Sequence, residues 1–165
     1  MLEIYLLELQ QGITYEDEVD PLSIKDEFAP VWMDHINYVN SIQNFPYIKA
    51  SRKLFEDKLK RSIDRSKKVV LFIARDNGKL VGYIQSAVSK NGRGGWIVSF
   101  HLLEPYRGKG IGNVLIKKAL KWLWGNGVRE IELGTQGGNE KAVRFYKKHG
   151  FEIQSYELRH KKSKY

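Results

Sequence analysis

The chain has 165 residues, of which 42% are apolar and 28% charged, so it can form one folded domain, and extensive disorder is not expected. It contains no cysteine, which excludes disulfide scaffolds, thiolate catalysis and cysteine-ligated metal sites. The net charge of +9 is unevenly distributed, because residues 1–34 carry nine acids and one base, a local charge of −8, and the remainder carries +17.

The start of the chain and its hydropathy predict a cytoplasmic protein. The first residues lack a basic leader and a small-residue cleavage site, and no apolar run approaches the roughly 20 residues that a membrane span needs. With only four histidines, no metal site is expected. The split in charge predicts one acidic and one basic surface, and the basic one suits a polyanion, either nucleic acid or a phosphorylated cofactor.

The first part of the chain predicts a strand followed by helices. The first strand is expected over residues 2–9, and residues 24–42 are weakly helical but interrupted by Pro30, which predicts two short pieces. Residues 51–68 place apolar side chains at helical intervals among charged ones, as in a surface helix that packs on a core.

The middle of the chain predicts an antiparallel meander. Strands over 69–75 and 80–88 are joined by a turn that contains Asn77-Gly78, the pair that supplies the positive φ angles of a tight hairpin. A glycine-rich turn then leads into a third strand over 96–103.

The last part alternates helices and strands: a helix over 108–124, a strand over 128–134, a helix over 139–149 and a strand over 151–158. Strands joined first by hairpins and later by helices indicate an α/β fold with a sheet of mixed direction. No linker or repeat interrupts the pattern, so residues 1–165 are predicted to form a single domain.

A glycine-rich run opens the helix that follows the third strand. Gly108, Gly110 and Gly112 allow a ligand to approach the backbone closely, and the unpaired amides of a first helical turn attract anions. A pyrophosphate fits such a site, where Arg107 and Lys109 add cationic hydrogen bonds.

Two known phosphate loops do not fit this run. The dinucleotide fingerprint requires a glycine where Asn113 stands, and the loop of nucleotide triphosphatases requires Ser or Thr where Gly110 stands. The alternative is an ordinary glycine-rich turn at a helix start.

Two motifs at a characteristic separation carry a resemblance to a known family. They are Arg107-x-x-Gly110-x-Gly112 and Asn139-x-x-Ala142-x-x-Phe145-Tyr146-x-x-x-Gly150-Phe151. Together with the order of elements over about residues 69–158, they resemble the GNAT superfamily of acyl-CoA-dependent N-acyltransferases. One departure is that Pro105 stands two residues before Arg107, whereas the family usually has its proline three before.

The resemblance implies a GNAT-like mixed, largely antiparallel sheet flanked by helices, with acetyl-CoA as co-substrate and no metal. In such proteins the pantetheine arm fills a gap between two strands, here 96–103 and 128–134. The backbone near Leu102 and Leu103 would then bind pantetheine, and an amide there would polarise the thioester carbonyl. Asn139 would cap its helix, bind the cofactor, or both. The pyrophosphate would lie on the segment Arg107, Gly108, Lys109, Gly110, Ile111, Gly112 and Asn113.

The resemblance also implies catalytic roles. Tyr146 corresponds to the family's tyrosine that protonates the departing thiolate, and the alternative is a core aromatic. Many relatives carry a glutamate base on the strand that is 96–103 here, which has none. His101 is the titratable group on that strand and the candidate base, or a structural histidine. The rivals for the base are Glu104, Glu132 and a carboxylate from the acidic N-terminal region acting through water.

The acidic region 1–34 occupies the part of the chain that forms much of the acceptor wall in the family. It therefore predicts a cationic acceptor: a polyamine, an aminoglycoside-like amine or a protein amino group. The alternative is that these acids solvate a surface and offset the basic remainder. Because the chain has no cysteine, no thiol acyl-enzyme can form, and direct attack in a ternary complex is expected.

Two other functions remain open at this point. A domain of this fold could bind acyl-CoA without catalysis, or the basic helix 51–68 and tail 159–164 could bind nucleic acid electrostatically. No nucleic-acid-binding signature accompanies these charges, so the sequence favours an amine acceptor, small molecule or protein, as the partner. A homodimer is an open option.

Overall fold

The computed structural model of the chain describes residues 12–42 and 48–158. Their elements follow one another as predicted over most of the chain, and the strand expected over residues 2–9 lies outside the described residues. In chain order the elements are β1 (Ile13–Val19), α1 (Lys25–Ile42), α2 (Arg52–Arg65), β2 (Ser66–Asp76), β3 (Lys79–Ser89), β4 (Gly94–Leu102), a 3₁₀ turn (Glu104–Tyr106), α3 (Ile111–Gly125), β5 (Glu130–Leu133) and α4 (Glu140–Lys148).

The described strands form one sheet in the order β1-β2-β3-β4-β5. The pairs from β1 to β4 are antiparallel, and β4 pairs with β5 in parallel. A parallel pair requires a crossover connection, and α3 provides it. The predicted mixed, largely antiparallel sheet flanked by helices is thus confirmed.

Helices cover both faces of the sheet because its central strands alternate apolar side chains between two cores. Along β2, Leu71 and Ile73 contact α1 and α2, whereas Phe72 and Ala74 lie in the core that α3 covers. All four are at most 3% exposed. Each of the three larger side chains contributes about 1.5–3 kcal/mol when it leaves water, and Ala74 less, so the two cores hold the helices in place.

The hairpin between β2 and β3 confirms the prediction from Asn77-Gly78. Both residues adopt positive φ, 47° and 80° respectively. Two central residues with positive φ make the turn whose twist matches that of the flanking strands.

A bulge in β4 lies where the parallel pairing with β5 ends and the antiparallel pairing with β3 continues. The parallel ladder with β5 ends at Ile97. Against β3, Ile97 and Ser99 lie opposite consecutive residues, so Val98 is an extra residue without a partner. Bulges bend the strand that carries them. After Ile97, β4 continues without β5 beside it, which leaves a gap next to its second half.

Three predicted features differ from the structure. The predicted interruption at Pro30 was wrong, because α1 runs through it as one helix. Pro30 lies on the exposed side, where a lost hydrogen bond is replaced by water, and its neighbours Phe28, Ala29, Val31 and Trp32 are buried against the sheet.

The strand predicted over residues 151–158 is absent from the structure. The alternating pattern required a neighbouring strand, and no described strand pairs with this segment. Phe151 packs on the core, but the apolar side chains that follow are largely in solvent, with Ile153 46%, Tyr156 81% and Leu158 91% exposed.

β1 was not predicted, because Glu16, Asp17 and Glu18 interrupt its alternation. Only Ile13, Tyr15 and Val19 are partly buried in this edge strand.

Candidate active site

A cavity of about 710 Å³ opens beside the second half of β4, between α1, α4 and the glycine-rich connection after β4. Leu103, Lys109 and Ile111 were predicted for the site but do not line the cavity: Leu103 packs beneath α1, Lys109 is exposed, and Ile111, the first residue of α3, is buried in the core between α3 and the sheet. The predicted residues that do line it are His101, Leu102, Arg107, Gly108, Gly110, Gly112, Asn113, Asn139 and Tyr146.

The glycine-rich connection has unpaired backbone amides, and three of its glycines, Gly108, Gly110 and Gly112, line the cavity. The amide of Arg107 donates to Glu104 O, and the next amide that is engaged is that of Asn113, which donates to Gly110 O. Between them, within the described part of the chain, the amides of residues 108–112 have no backbone acceptor. Gly108 and Gly110 hold positive φ, 75° and 85°, which permits the turn into α3. Amides at a helix N-terminus form an anion-binding site.

The edge of β4 faces the gap through Leu102 rather than Leu103. The Leu103 amide donates to Val81 O of β3, so it is engaged within the sheet. Because the backbone groups of successive strand residues point to opposite sides, those of Leu102 point away from β3. The Leu102 carbonyl accepts a hydrogen bond of 2.8 Å from Arg107 Nε, which agrees with that direction.

Arg107 lies at the side of the cavity that α1 covers. Its guanidinium is 4.2 Å from the centre of the Tyr38 ring, and its Nε bonds to Leu102 O. The sequence assigned this side chain to the pyrophosphate. In the structure it joins the end of β4 to α1, and the amides of residues 108–112 are left without backbone acceptors.

Asn139 and Tyr146 are presented by α4. The Asn139 side chain accepts a hydrogen bond from the Ala142 amide, which makes it the helix cap, and it also lines the cavity. The Tyr146 ring contacts Phe100 and Phe145. Burial raises the pKa of the Tyr146 hydroxyl to about 12, so at neutral pH it carries its proton and can donate it.

His101 faces α1 at the other side of β4 and is paired with a carboxylate. Its Nε2 lies 2.7 Å from Asp34 Oδ2, and its side chain is 3% exposed. The ring of His35 stacks on it with 5.1 Å between ring centres. Burial lowers the pKa of His101 more than Asp34 raises it, so the imidazole is neutral at neutral pH. A neutral imidazole in a cavity has a nitrogen that can accept a proton.

The other predicted bases do not reach the cavity. Glu104 and Glu132 are exposed and are not among its lining residues. Asp34, an acid of the N-terminal region, reaches the site through His101. Sequence reasoning did not find this pair, because the partners are 67 positions apart in the chain and no local signal connects them.

Several acids of the N-terminal region form ion pairs with the basic remainder. Arg75 bonds to Glu16 and Glu27, both at 2.5 Å. Asp26 pairs with Arg52, and Asp17 with Lys118. Of the described acids in this region, none lines the cavity. The side of the cavity next to α1 and α2 is instead lined by aromatic and aliphatic side chains, including Trp32, Val39, Phe55 and Leu59.

In the described ranges, no group of three or more His, Asp or Glu side chains is placed to hold a metal ion. Likewise, over residues 12–42 and 48–158 there is no helix with the length and apolar character needed to cross a membrane.

Comparison with known proteins places this arrangement in one family. The sequence model of the acetyltransferase (GNAT) family matches residues 36–151. The chain is 32% identical over 83 residues to "N-alpha-acetyltransferase 30" of Schizosaccharomyces pombe, a match that covers 48% of this chain and 55% of that protein. It is 29% identical over 135 residues to an "N-alpha-acetyltransferase" of Sulfurisphaera tokodaii, covering 72% and 74%. The chain thus spans about half the length of the first of these relatives.

Solved structures share the fold. A PaiA N-acetyltransferase from Thermoplasma acidophilum, solved in complex with coenzyme A, matches with a TM-score of 0.69 at 20% identity over 88% of this chain and 92% of that one. A putative acetyl transferase from Pyrococcus furiosus matches with a TM-score of 0.68 at 22% identity, covering 90% and 99%.

Proposed function

The chain belongs to the acetyltransferase (GNAT) family, and we propose that it transfers the acetyl group of acetyl-CoA to an amine by direct attack in a ternary complex. The observation that carries this proposal is the row of unpaired amides from Gly108 to Gly112 beside the gap between β4 and β5. These amides suit the pyrophosphate of coenzyme A, and the Leu102 edge of β4 suits its pantetheine arm. When bound, acetyl-CoA supplies the reactive thioester.

Two side chains of the cavity suit the two proton transfers that the reaction needs. We assign the base to His101, whose neutral imidazole lines the cavity, and the acid to Tyr146, whose hydroxyl remains protonated. The base takes a proton from the incoming ammonium group, and the acid gives one to the sulfur that leaves.

Among the predicted acceptors, the cavity favours a protein or peptide amino group. Polyamines and aminoglycosides carry several positive charges, and no described acid of the N-terminal region lines the cavity to receive them. The aromatic and aliphatic wall of α1 and α2 suits an apolar side chain next to a single amine. The similarity to N-alpha-acetyltransferases supports the same choice.

The test is the release of free thiol from acetyl-CoA with a panel of acceptors. The panel contains spermidine, an aminoglycoside, and peptides that differ only in an apolar or an acidic first residue. We expect the peptide with the apolar first residue to react fastest. Faster turnover of spermidine or the aminoglycoside would contradict the acceptor proposal. Calorimetric binding of coenzyme A without turnover of any acceptor would favour an inactive acyl-CoA-binding domain.

A further inference from the structure

The surroundings of His101 contain a carboxylate that the reaction described above does not use. Asp34, on α1, places Oδ2 2.7 Å from Nε2 of His101. The histidine side chain is 3% exposed, whereas that of Asp34 is 50% exposed. A half-exposed carboxylate thus contacts a buried imidazole that lines the cavity.

We propose that Asp34 is a positioning residue, which holds the His101 ring in the tautomer that leaves Nδ1 unprotonated toward the acceptor amine. This inference rests on the proposed function and adds a residue to it. A carboxylate accepts hydrogen bonds but does not donate them, so at 2.7 Å the Nε2 of a neutral His101 carries the ring proton. The lone pair is then on Nδ1, which makes no hydrogen bond within the described part of the chain.

The neighbours of His101 hold the ring plane as well. From α1, His35 stacks on it with an interplanar angle of 21°, and the Tyr38 ring centre lies 5.9 Å away. From β3, Tyr83 is fixed because its hydroxyl lies 3.3 Å from His35 Nδ1. Arg107, from the connection after β4, stacks on the Tyr38 ring. Stacking fixes the plane of the His101 ring, and the hydrogen bond to Asp34 then fixes Nε2 as the nitrogen on the Asp34 side.

The charges around His101 act in opposite directions. Asp34 raises its pKa, whereas burial and Arg107 lower it. The pKa of His35 is lowered to about 4, chiefly by burial, so His35 is neutral at neutral pH and does not add a second charge. Asp34 is therefore the neighbour that stabilises the imidazolium formed when His101 accepts a proton.

The proton balance of the reaction agrees with this role. An acceptor ammonium group loses two protons overall as the N–C bond forms and the C–S bond breaks. One passes to Nδ1 of His101 and later to solvent, and the other replaces the proton that Tyr146 gives to the departing sulfur. Asp34 itself keeps its charge throughout.

The first test is the tautomer of His101, measured by ¹⁵N NMR on imidazole-labelled protein without any substrate. The wild type is expected to show a protonated Nε2 and an unprotonated Nδ1 at pH 7.5. In Asp34→Ala the Nδ1-protonated form should appear beside it. A wild-type ring protonated on Nδ1 would overturn the inference. This readout does not depend on turnover, and a circular dichroism spectrum shows whether the variant is folded.

The second test uses the kinetics of acetyl transfer. Asp34→Ala is expected to lower kcat on the order of 10- to 100-fold. Because Asp34 raises the pKa of His101, its loss should also move the acid limb of the kcat profile to lower pH. The matched control is Asp26→Ala, which removes an exposed carboxylate eight positions earlier on the same helix and should leave kcat unchanged within about twofold.

A double variant separates positioning from an independent effect. In a His101→Gln background, Asp34→Ala should cause no further loss of kcat. A further loss equal to that in the wild type would overturn the inference. If the wild type acetylates no acceptor at all, the proposed function fails, and the tautomer measured by NMR still decides the role of Asp34.

Discussion

The candidate acid and base lie on opposite faces of the sheet. Tyr146 contacts Phe100 on the face covered by α3 and α4, whereas His101 faces α1. A cavity can reach both because β5 ends before the second half of β4. This separation suits a reaction in which one proton is taken from the acceptor and another is given to the donor.

Tyr146→Phe tests the acid at the level of one atom. Removal of the hydroxyl is expected to lower kcat about 100- to 10,000-fold, because the sulfur then leaves without a proton donor. The affinity for coenzyme A, measured by calorimetry, should change by less than about twofold. Tyr106→Phe is the control, because the Tyr106 hydroxyl bonds to Asp76 and does not line the cavity. Equal rates for the wild type and Tyr146→Phe would contradict the assignment.

Single residues of the site were predictable from local chemistry or from the family resemblance, which supplied Tyr146 and Leu102, and both of these line the cavity. The glycines at 108 and 110 and the helix cap at Asn139 are local signals, and the structure places these residues where such signals belong. The pairing of His101 with Asp34 and the stacking of Arg107 on Tyr38 depend on how α1 packs on the sheet. No spacing in the sequence contains that information.

The same distinction holds for whole elements. The β2–β3 hairpin was predictable because its turn residues specify the pairing by themselves. Pro30 misled the prediction for α1, because tertiary burial outweighs a single missing hydrogen bond. The segment 151–158 has the alternation of a strand, but a strand also needs a partner.

The start of α3 provides a prediction at the scale of an element. Gly110→Ala introduces a Cβ at a φ of 85°, which should destabilise the fold by about 1–2 kcal/mol and weaken coenzyme A binding. Gly125, the last residue of the same helix, has an ordinary φ, and a Cβ there meets nothing within 4 Å. Gly125→Ala should therefore retain coenzyme A binding and stability. Urea unfolding and calorimetry measure both, and equal effects of the two substitutions would contradict the prediction.

At the scale of the molecule, the acidic start of the chain and its basic remainder are joined by Arg75. Its side chain, 13% exposed, bonds to Glu16 of β1 and Glu27 of α1, and these contacts raise its pKa further. Charged hydrogen bonds in so enclosed a position contribute more than exposed ion pairs do. Some of the opposite charges predicted from the sequence therefore form ion pairs that stabilise the fold.

Arg75→Met is expected to lower the free energy of unfolding by about 2 kcal/mol, because it leaves two carboxylates without their common partner. Arg52→Met, which removes an exposed pair with Asp26 and Glu56, should cost clearly less. Urea unfolding at low and high salt compares them. A larger loss of unfolding free energy for Arg52→Met would contradict the prediction that the enclosed position strengthens the ion pairs of Arg75.

The bulge at Val98 also changes which face of the sheet the later side chains of β4 point to. In an unbroken strand, Ile97 and His101 would point to the same side, since they are four positions apart. Instead Ile97 belongs to the core under α3, and His101 meets α1. If Val98 were paired as an ordinary strand residue, every side chain beyond it would point to the other face, with the imidazole in the hydrocarbon interior and Phe100 toward Asp34. Deleting Val98 would instead leave Ile97 and His101 three positions apart, on opposite faces as they are now. The bulge therefore accommodates Val98 while the histidine keeps its place toward α1.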